Sequence, residues 1–132
     1  MIIMYFLLLF APFHLISEQL ESNVLIYKES VEVNAEINAN DVIIAGQPIV
    51  GSILITHNIK SVIDPNSFKI QGKPLNSKFV RTVPMTASGD EVISIYQFQV
   101  AGVSSGTHIL GNITVTISGI VYTSPQLSVE VN

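Results

Sequence analysis

The chain has 132 residues, of which 48% are hydrophobic, only 12% are charged and none is cysteine. This length is typical of one domain, and the missing thiols exclude disulfides, thiolate catalysis and zinc–cysteinate sites. The 6 Lys and Arg residues against 10 Asp and Glu form no basic stripe, which argues against nucleic acid as a partner.

The first segment of the chain is almost purely apolar. Read as a helix, residues 1–16 would span ~24 Å, which is shorter than the ~30 Å hydrocarbon thickness of a bilayer. Pro12 and His14 weaken its far end. Although no Lys or Arg precedes it and no small-residue cleavage site follows, a signal peptide is the best interpretation. We therefore expect residues 1–22 to be a signal peptide or hydrophobic leader helix, with an uncleaved membrane anchor or a misassigned start codon as alternatives.

Alternating apolar and polar residues predict strands in residues 23–132. Ser30–Asn38 is the first strand with clear alternation, with apolar residues at the odd positions. Ile49–His57 is apolar at both parities, which predicts a deep strand at the centre of its sheet. Ser67–Gln71 alternates again. Ser77–Thr86 contains Pro84, which cannot donate a ladder hydrogen bond, so this strand is assigned to a sheet edge.

The last forty residues have the clearest alternation. Glu91 to Val131 is predicted to form a three-strand meander, with glycine turns at residues 104–106 and 118–119 and a kink at Ser124-Pro125 where the last strand changes sheet. The predicted apolar face holds Val92, Tyr96, Phe98, Val100, Ile109, Ile113, Val115, Ile117, Val121, Leu127, Val129 and Val131. This face requires a second layer. The sequence therefore predicts an all-β, immunoglobulin-like Greek-key sandwich of seven or eight strands after the leader.

Candidate chemical groups are few and scattered. His14 lies in the leader, His57 ends a deep strand, and His108 has the solvent parity of its strand. Lone histidines without nearby carboxylates are more typical of ordinary strand residues than of metal ligands. The turn aspartates are expected to accept local backbone N–H groups. They are Asp41, Asp64 and Asp90.

The sequence assigns no catalytic, cofactor-binding or metal site, and the protein is predicted not to be an enzyme. No serine lies in a G-x-S-x-G elbow and no glycine-rich loop opens a helix. Tyr96 and Phe98 are interpreted as core, with an aromatic binding patch as the alternative. Tyr122 is interpreted as a packing residue, with a partner contact as the alternative. Asn112-Ile113-Thr114 matches a glycosylation sequon, a pattern that often arises by chance.

Several turn-plus-strand segments occur in a characteristic order. They are Ala35, Asn38-Ala39-Asn40-Asp41-Val42, Ala45-Gly46-Gln47-Pro48, Ser67-Phe68-Lys69-Ile70-Gln71-Gly72, Ile95-Tyr96-Gln97-Phe98, Gly106-Thr107-His108-Ile109-Leu110 and the closing run from Tyr122 to Val131. Through them the chain from Val33 to Val131 resembles one immunoglobulin-like repeat of the BatD (oxygen-tolerance) family of bacterial envelope proteins.

The resemblance implies export, a sandwich fold and a role in an envelope assembly linked to aerotolerance or stress, through protein contacts rather than catalysis. Members of the family usually carry several such domains and a C-terminal membrane segment, whereas this sequence has one domain and no such segment. The lack of cysteine also favours a bacterial envelope protein over a eukaryotic secreted domain. We expect a periplasmic or cell-surface protein, attached to the membrane only if its leader is uncleaved.

Three functions are weighed. The first is docking of an unidentified envelope protein through a sheet face or an edge strand. Arg81 and Pro84 oppose the addition of another strand at the Lys78–Met85 edge, so the opposite edge of the sheet is the better docking candidate. The second is binding of a small ligand or carbohydrate by aromatic residues near loop ends. The third is a hydrolase, which would require Ser, His and Asp side chains to converge.

Overall fold

The computed structural model of the chain describes residues 30–38 and 42–132. The predicted leader and Asp41 lie outside these residues. The described part is all-β, with ten strands and no helix. The strands are β1 (Glu32–Ile37), β2 (Ile49–Asn58), β3 (Lys69–Ile70), β4 (Lys73–Pro74), β5 (Asn76–Pro84), β6 (Glu91–Val100), β7 (Gly106–Gly111), β8 (Ile113–Ile117), β9 (Ile120–Thr123) and β10 (Leu127–Val131).

The first layer is an antiparallel sheet with the order β1-β2-β6-β5. β2 and β6 pair over their whole lengths, from Ile49 opposite Val100 to Asn58 opposite Glu91. β2 is therefore central, as its apolar residues at both parities predict. β5 is an edge strand, which confirms the interpretation of Pro84.

The second layer contains a four-stranded sheet, β9-β8-β3-β4, and a two-stranded ribbon, β10-β7. All of its pairs are antiparallel. Its inward side chains pack on those of the first layer, as in a β-sandwich. The Phe68 ring, which precedes β3, lies 4.7 Å from the Tyr96 ring of β6, centroid to centroid. The main core contains Val33, Ile53, Ile55, Phe68, Leu75, Tyr96, Phe98, Ile113, Val115, Ile117 and Leu127.

The predicted meander is wrong in one respect. β6 pairs with β2 and β5 rather than with the strand that follows it, so the chain passes to the second layer between Val100 and Gly106. Alternation reports which side chains share a face, but it does not report which strands are neighbours. Here both sides of β6 are occupied by long strands of its own sheet.

The second layer contains one long hairpin, with β7 and β8 in the first arm and β9 and β10 in the second. Both arms are interrupted at the same level. One arm breaks between β7 and β8 at Gly111, whose φ is 108°, and the other breaks at Ser124-Pro125 between β9 and β10. β9 still pairs with β8, and β10 still pairs with β7. The last strand therefore changes sheet at Ser124-Pro125, as predicted, passing from the four-stranded sheet of β9 to the ribbon of β10 and β7, and the break bends the hairpin within the second layer.

The two breaks also change which side chains face the core. Ile109 is 61% exposed and Val121 is 64% exposed, although both were predicted on the apolar face. Leu110 packs against the core instead. The other members of the predicted face are buried or half-buried. The parity fails only around the interruptions, because each irregular residue shifts the alternation that follows it.

Candidate docking edge and its cleft

β7 of the second layer lacks a partner along one side, because β3, which pairs with the following strand β8, is too short to reach it. β3 pairs with β8 only at Lys69–Thr114 and Ile70–Ile113. The chain then reverses at Gln71-Gly72, whose φ values of 51° and 76° are those of a tight turn. No described strand continues beside β7, which pairs with β10 alone. We call the unpaired side of Gly106–Gly111 the β7 edge.

An antiparallel strand directs alternate N–H and C=O groups away from its single partner. Along the β7 edge these groups therefore point outward. Among the described residues, the backbone hydrogen bonds outside the ladders include none from residues 106–111. The β7 edge thus offers donors and acceptors at the spacing of another strand.

A cleft of about 580 Å³ adjoins the β7 edge. His108, Ile109 and Leu110 all line it. Since successive residues of a strand point to opposite faces, lining by all three places the cleft against the edge of β7 rather than against one face. The β3–β4 hairpin and the end of β6 form its other walls. Its apolar lining residues are Ile70, Pro74, Leu75, Val100, Ala101, Val103, Ile109 and Leu110.

The rim of the cleft is polar and includes a cation. Lys73 lies on the β3–β4 side, and His108 lies on the β7 side. The described lining residues include no carboxylate. His108 Nε2 donates a hydrogen bond to the Ser104 carbonyl at 2.8 Å, which leaves Nδ1 of the neutral ring as an acceptor. Lys73 therefore favours an apolar group that ends in an acceptor or a negative charge, whereas His108 Nδ1 can accept a hydrogen bond from a donor.

Both edges of the first layer are less suited to pairing. β5 has a register shift between Phe79 and Arg81 and ends at Pro84, and both features oppose the addition of a strand. The opposite edge of that sheet, which the sequence favours for docking, is β1. It lies against β9 and β10 of the second layer. A cleft of about 180 Å³ lies beside Asn76, Ser77 and Lys78 of β5, and the cleft of about 580 Å³ adjoins β7.

A second polar arrangement lies inside the first layer. His57 Nδ1 lies 2.8 Å from the Asn58 carbonyl, which can only accept, so Nδ1 donates. In the neutral ring Nε2 then accepts the hydroxyl hydrogen of Ser94 at 2.7 Å. His57 is 5% exposed and Ser94 is 4% exposed. This Ser–His pair has a main-chain carbonyl where a hydrolase has a carboxylate, and its burial keeps substrates from the serine.

Sequence reasoning missed this pair, although one signal was present. Ser94 has the same parity as Val92, Tyr96 and Phe98, so it is the polar member of an apolar face. Such a residue requires a hydrogen-bond partner when it is buried. His57 has the inward parity of β2 and supplies that partner, with Thr82 Oγ1 a further 3.3 Å from the serine hydroxyl.

The remaining candidate residues have local roles. Asp64 Oδ1 accepts the N–H of Asn66 at 3.0 Å, as predicted. Asp90 differs from the prediction, because it is its backbone carbonyl rather than its carboxylate that accepts an N–H, from Ile59 at 2.8 Å. Tyr122 is half-buried against the core, which confirms its packing role. Asn112 Nδ2 donates to the Ser124 carbonyl at 2.8 Å.

Two further searches of the described residues gave negative results. They hold no group of three or more His, Cys, Asp or Glu side chains placed to bind a metal ion. They also form no helix long and apolar enough to cross a membrane.

Comparison of the chain with protein-family models, with curated proteins and with solved structures gives no match. A functional assignment must therefore be argued from the residues of this chain.

Proposed function

We propose that the chain is a non-enzymatic docking module of the bacterial envelope, with an immunoglobulin-like Greek-key fold similar to a BatD repeat. Strand order supports the fold assignment. The chain changes layer after β2, after β4 and after β6, and repeated crossing between two antiparallel sheets is typical of Greek-key sandwiches. The protein partner would be another envelope protein, in an assembly linked to aerotolerance or stress.

The β7 edge with its cleft is the observation that carries this proposal. A partner segment in extended conformation would pair with the outward backbone groups of His108, Ile109 and Leu110. Its alternate side chains would enter the cleft and contact Leu75 and Val100. The main-chain hydrogen bonds then supply affinity, and the cleft selects the register and the side chains of the added strand.

Export through the leader places this module in the periplasm or at the cell surface. The apolar residues 1–16 support export. If the leader is cleaved the domain is released, and if it is retained the domain is anchored through its N-terminus. N-terminal sequencing of the protein from a bacterial envelope fraction distinguishes the two outcomes. A start at Met1 in the cytosolic fraction would contradict export.

The docking proposal is tested with two matched surface variants. Ile109→Lys places a charge on the β7 edge, and Val121→Lys places the same charge on β9. Both side chains are more than 60% exposed, so both variants should fold. The wild-type protein and Val121→Lys should recover the same defined partner from envelope extracts, whereas Ile109→Lys should lose it. Equal recovery by the two variants would contradict docking at β7.

Binding of a small apolar ligand is the second candidate, because the volume of the cleft suits it. Ligand sites commonly enclose roughly 300–1,000 Å³ and combine apolar walls with a few polar groups. The described lining residues include no aromatic side chain, so the cleft gives no support to the stacking that carbohydrate recognition would use. Octanoate, with an apolar tail and a carboxylate for Lys73, is a suitable probe. At about 100 Kd it should stabilise the fold by about 2.7 kcal/mol, and no thermal shift would count against this alternative.

A further inference from the structure

The outer face of the first sheet has an ordered arrangement of charge. This outer face consists of the side chains of β1, β2, β6 and β5 that point away from the core. Strand pairing aligns them in rows across the sheet. One row is Glu36, Ser52, Gln97 and Lys78; the next is Asn34, Leu54, Ile95 and Arg81; the third is Glu32, Thr56, Ile93 and Val83.

Each margin of this outer face carries charge of one sign. The β1 margin presents Glu32 and Glu36, both exposed, and the β5 margin presents Lys78 and Arg81, also exposed. The two margins are three strand spacings apart, or ~14 Å. The long acidic and basic side chains therefore lie on opposite sides of the face.

The centre of the outer face is apolar. Leu54 lies directly across from Ile95, and Ile93 lies one row away, next to Val83 on β5. All four side chains are half-buried although they point away from the core. Antiparallel sheets with one solvated face usually place polar residues there. An apolar centre between charged margins is the composition of an interface with a dry middle and a polar rim.

We propose that a second copy of this chain packs on the outer face, related by a two-fold axis that runs parallel to the strands between β2 and β6. Such an axis places the β1 margin of one copy over the β5 margin of the other. Glu36 then meets Lys78, and Arg81 lies between Glu32 and Glu36. A two-fold axis perpendicular to the strands would instead place the acidic margin over the acidic margin and the basic margin over the basic margin. The charge pattern therefore selects the parallel axis.

The same axis matches the apolar residues. Leu54 of one copy lies over Ile95 of the other, and the reciprocal contact forms by symmetry. The strands of the two sheets stay nearly aligned, which is the usual arrangement for sheets packed face to face at ~10 Å. This surface is independent of the β7 edge, so both can be occupied in one molecule.

The size of the outer face sets the expected strength of the dimer. Four strands over about seven residues cover less than the ~800 Å² per partner of a standard interface. The dimer is therefore weak, and it should weaken further as salt screens the charged margins. Sedimentation equilibrium of the full chain at roughly 10–500 μM, in low and high salt, covers the relevant range.

Charge exchange tests the arrangement. In the proposed dimer Glu36→Lys places a lysine over Lys78 of the other copy, and Lys78→Glu places a glutamate over Glu36 of the other copy. Each variant alone should associate at least tenfold more weakly than the wild type, whereas an equimolar mixture of the two should form a heterodimer. Glu130→Lys on β10 applies the same charge change outside this face and should leave association unchanged. A monomeric wild type at all concentrations, or single variants that associate as the wild type does, would overturn the proposal.

Cross-linking tests the axis separately. The chain has no cysteine of its own, so Asn34→Cys on β1 and Val83→Cys on β5 each introduce a single thiol. The parallel axis brings these two positions of different copies to within ~12 Å and keeps each ~17 Å from the same position of the other copy, so a bis-maleimide with a spacer of ~12 Å should give mainly the mixed product. Predominant linkage of Asn34→Cys to itself would indicate the perpendicular axis and overturn the parallel one.

Discussion

The Oγ of Ser124 accepts the backbone N–H of Ile113 at 2.9 Å, and the backbone N–H of Ser124 donates to the Ile113 carbonyl at 2.8 Å. These two hydrogen bonds join the hairpin arms at the level where both are interrupted. The bend of the second layer, and the separation of β7 from β8, therefore depend on one buried serine.

Ser124→Ala should destabilise the domain by about 1–3 kcal/mol, because it leaves the buried N–H of Ile113 without a partner. Urea unfolding followed by circular dichroism measures the loss. Ser128→Ala removes a hydroxyl from an exposed position of the adjacent β10 and should cost less than about 0.5 kcal/mol. Similar losses for the two variants would show that the hydroxyl of Ser124 does not hold the bend.

Gly51→Ala should lower the free energy of unfolding more than the addition of one methyl group usually does. A Cβ at Gly51 would lie 2.5 Å from Cζ of Phe98 and still closer to the carbonyl oxygen of Glu36. The oxygen belongs to the backbone of β1, so β1 and β2 must separate or the Phe98 ring must leave its buried position. We expect a loss of about 1–3 kcal/mol or more in thermal or urea unfolding.

Ser52→Ala is the control for Gly51→Ala, since its side chain lies on the outer face of the same strand. It should change stability by less than about 0.5 kcal/mol. A Gly51→Ala protein as stable as the wild type would mean that β1 does not lie against β2 as described.

Ser94→Ala should destabilise the first layer by removing the hydrogen bond to His57 Nε2. The expected loss is about 1–3 kcal/mol, since the ring nitrogen stays buried without a partner. A double-mutant cycle with His57→Phe isolates the pair, and the coupling free energy should exceed about 0.5 kcal/mol. Additive losses would show that the two side chains do not interact in solution.

Burial raises the pKa of Tyr96 above its ordinary value of 10.0. The unfolded chain then loses this proton at a lower pH than the folded chain does. The stabilising contribution of the neutral hydroxyl is complete below about pH 10 and is lost as the pH rises through the folded pKa. The free energy of unfolding should therefore decrease in alkaline solution, and it should decrease less steeply for Tyr96→Phe than for the wild type. Parallel curves for the two proteins between about pH 9 and 11 would contradict this role for burial.

The alternation of the sequence was sufficient to predict the core and the positions of the long strands. The apolar residues at both parities of Ile49–His57 fit a central strand, whose outward side chains are half-buried, and Pro84 marks an edge because it lacks an N–H. These are local properties of one strand. They can be predicted from the residues of that strand alone, without knowing which strands lie beside it.

The candidate site could not be predicted in this way. Its position depends on the short pairing of β3, which ends at Ile70, and on the positive φ of Gly111, which resets the parity so that Leu110 rather than Ile109 faces the core. A glycine permits such a conformation without requiring it. The parity of β7 and the position of the cleft depend on which strands pair in the folded protein, and a single sequence does not specify that pairing.

The central claim is that β7 presents an unpaired backbone edge, and residue-resolved amide hydrogen exchange of the full chain tests it most directly. Amides of β6, which has partners on both sides, should all exchange slowly. Along Thr107–Leu110, slow amides bonded to β10 should alternate with fast amides at the β7 edge. Uniformly slow exchange along β7 would show that this edge is already occupied and would contradict the proposed docking site.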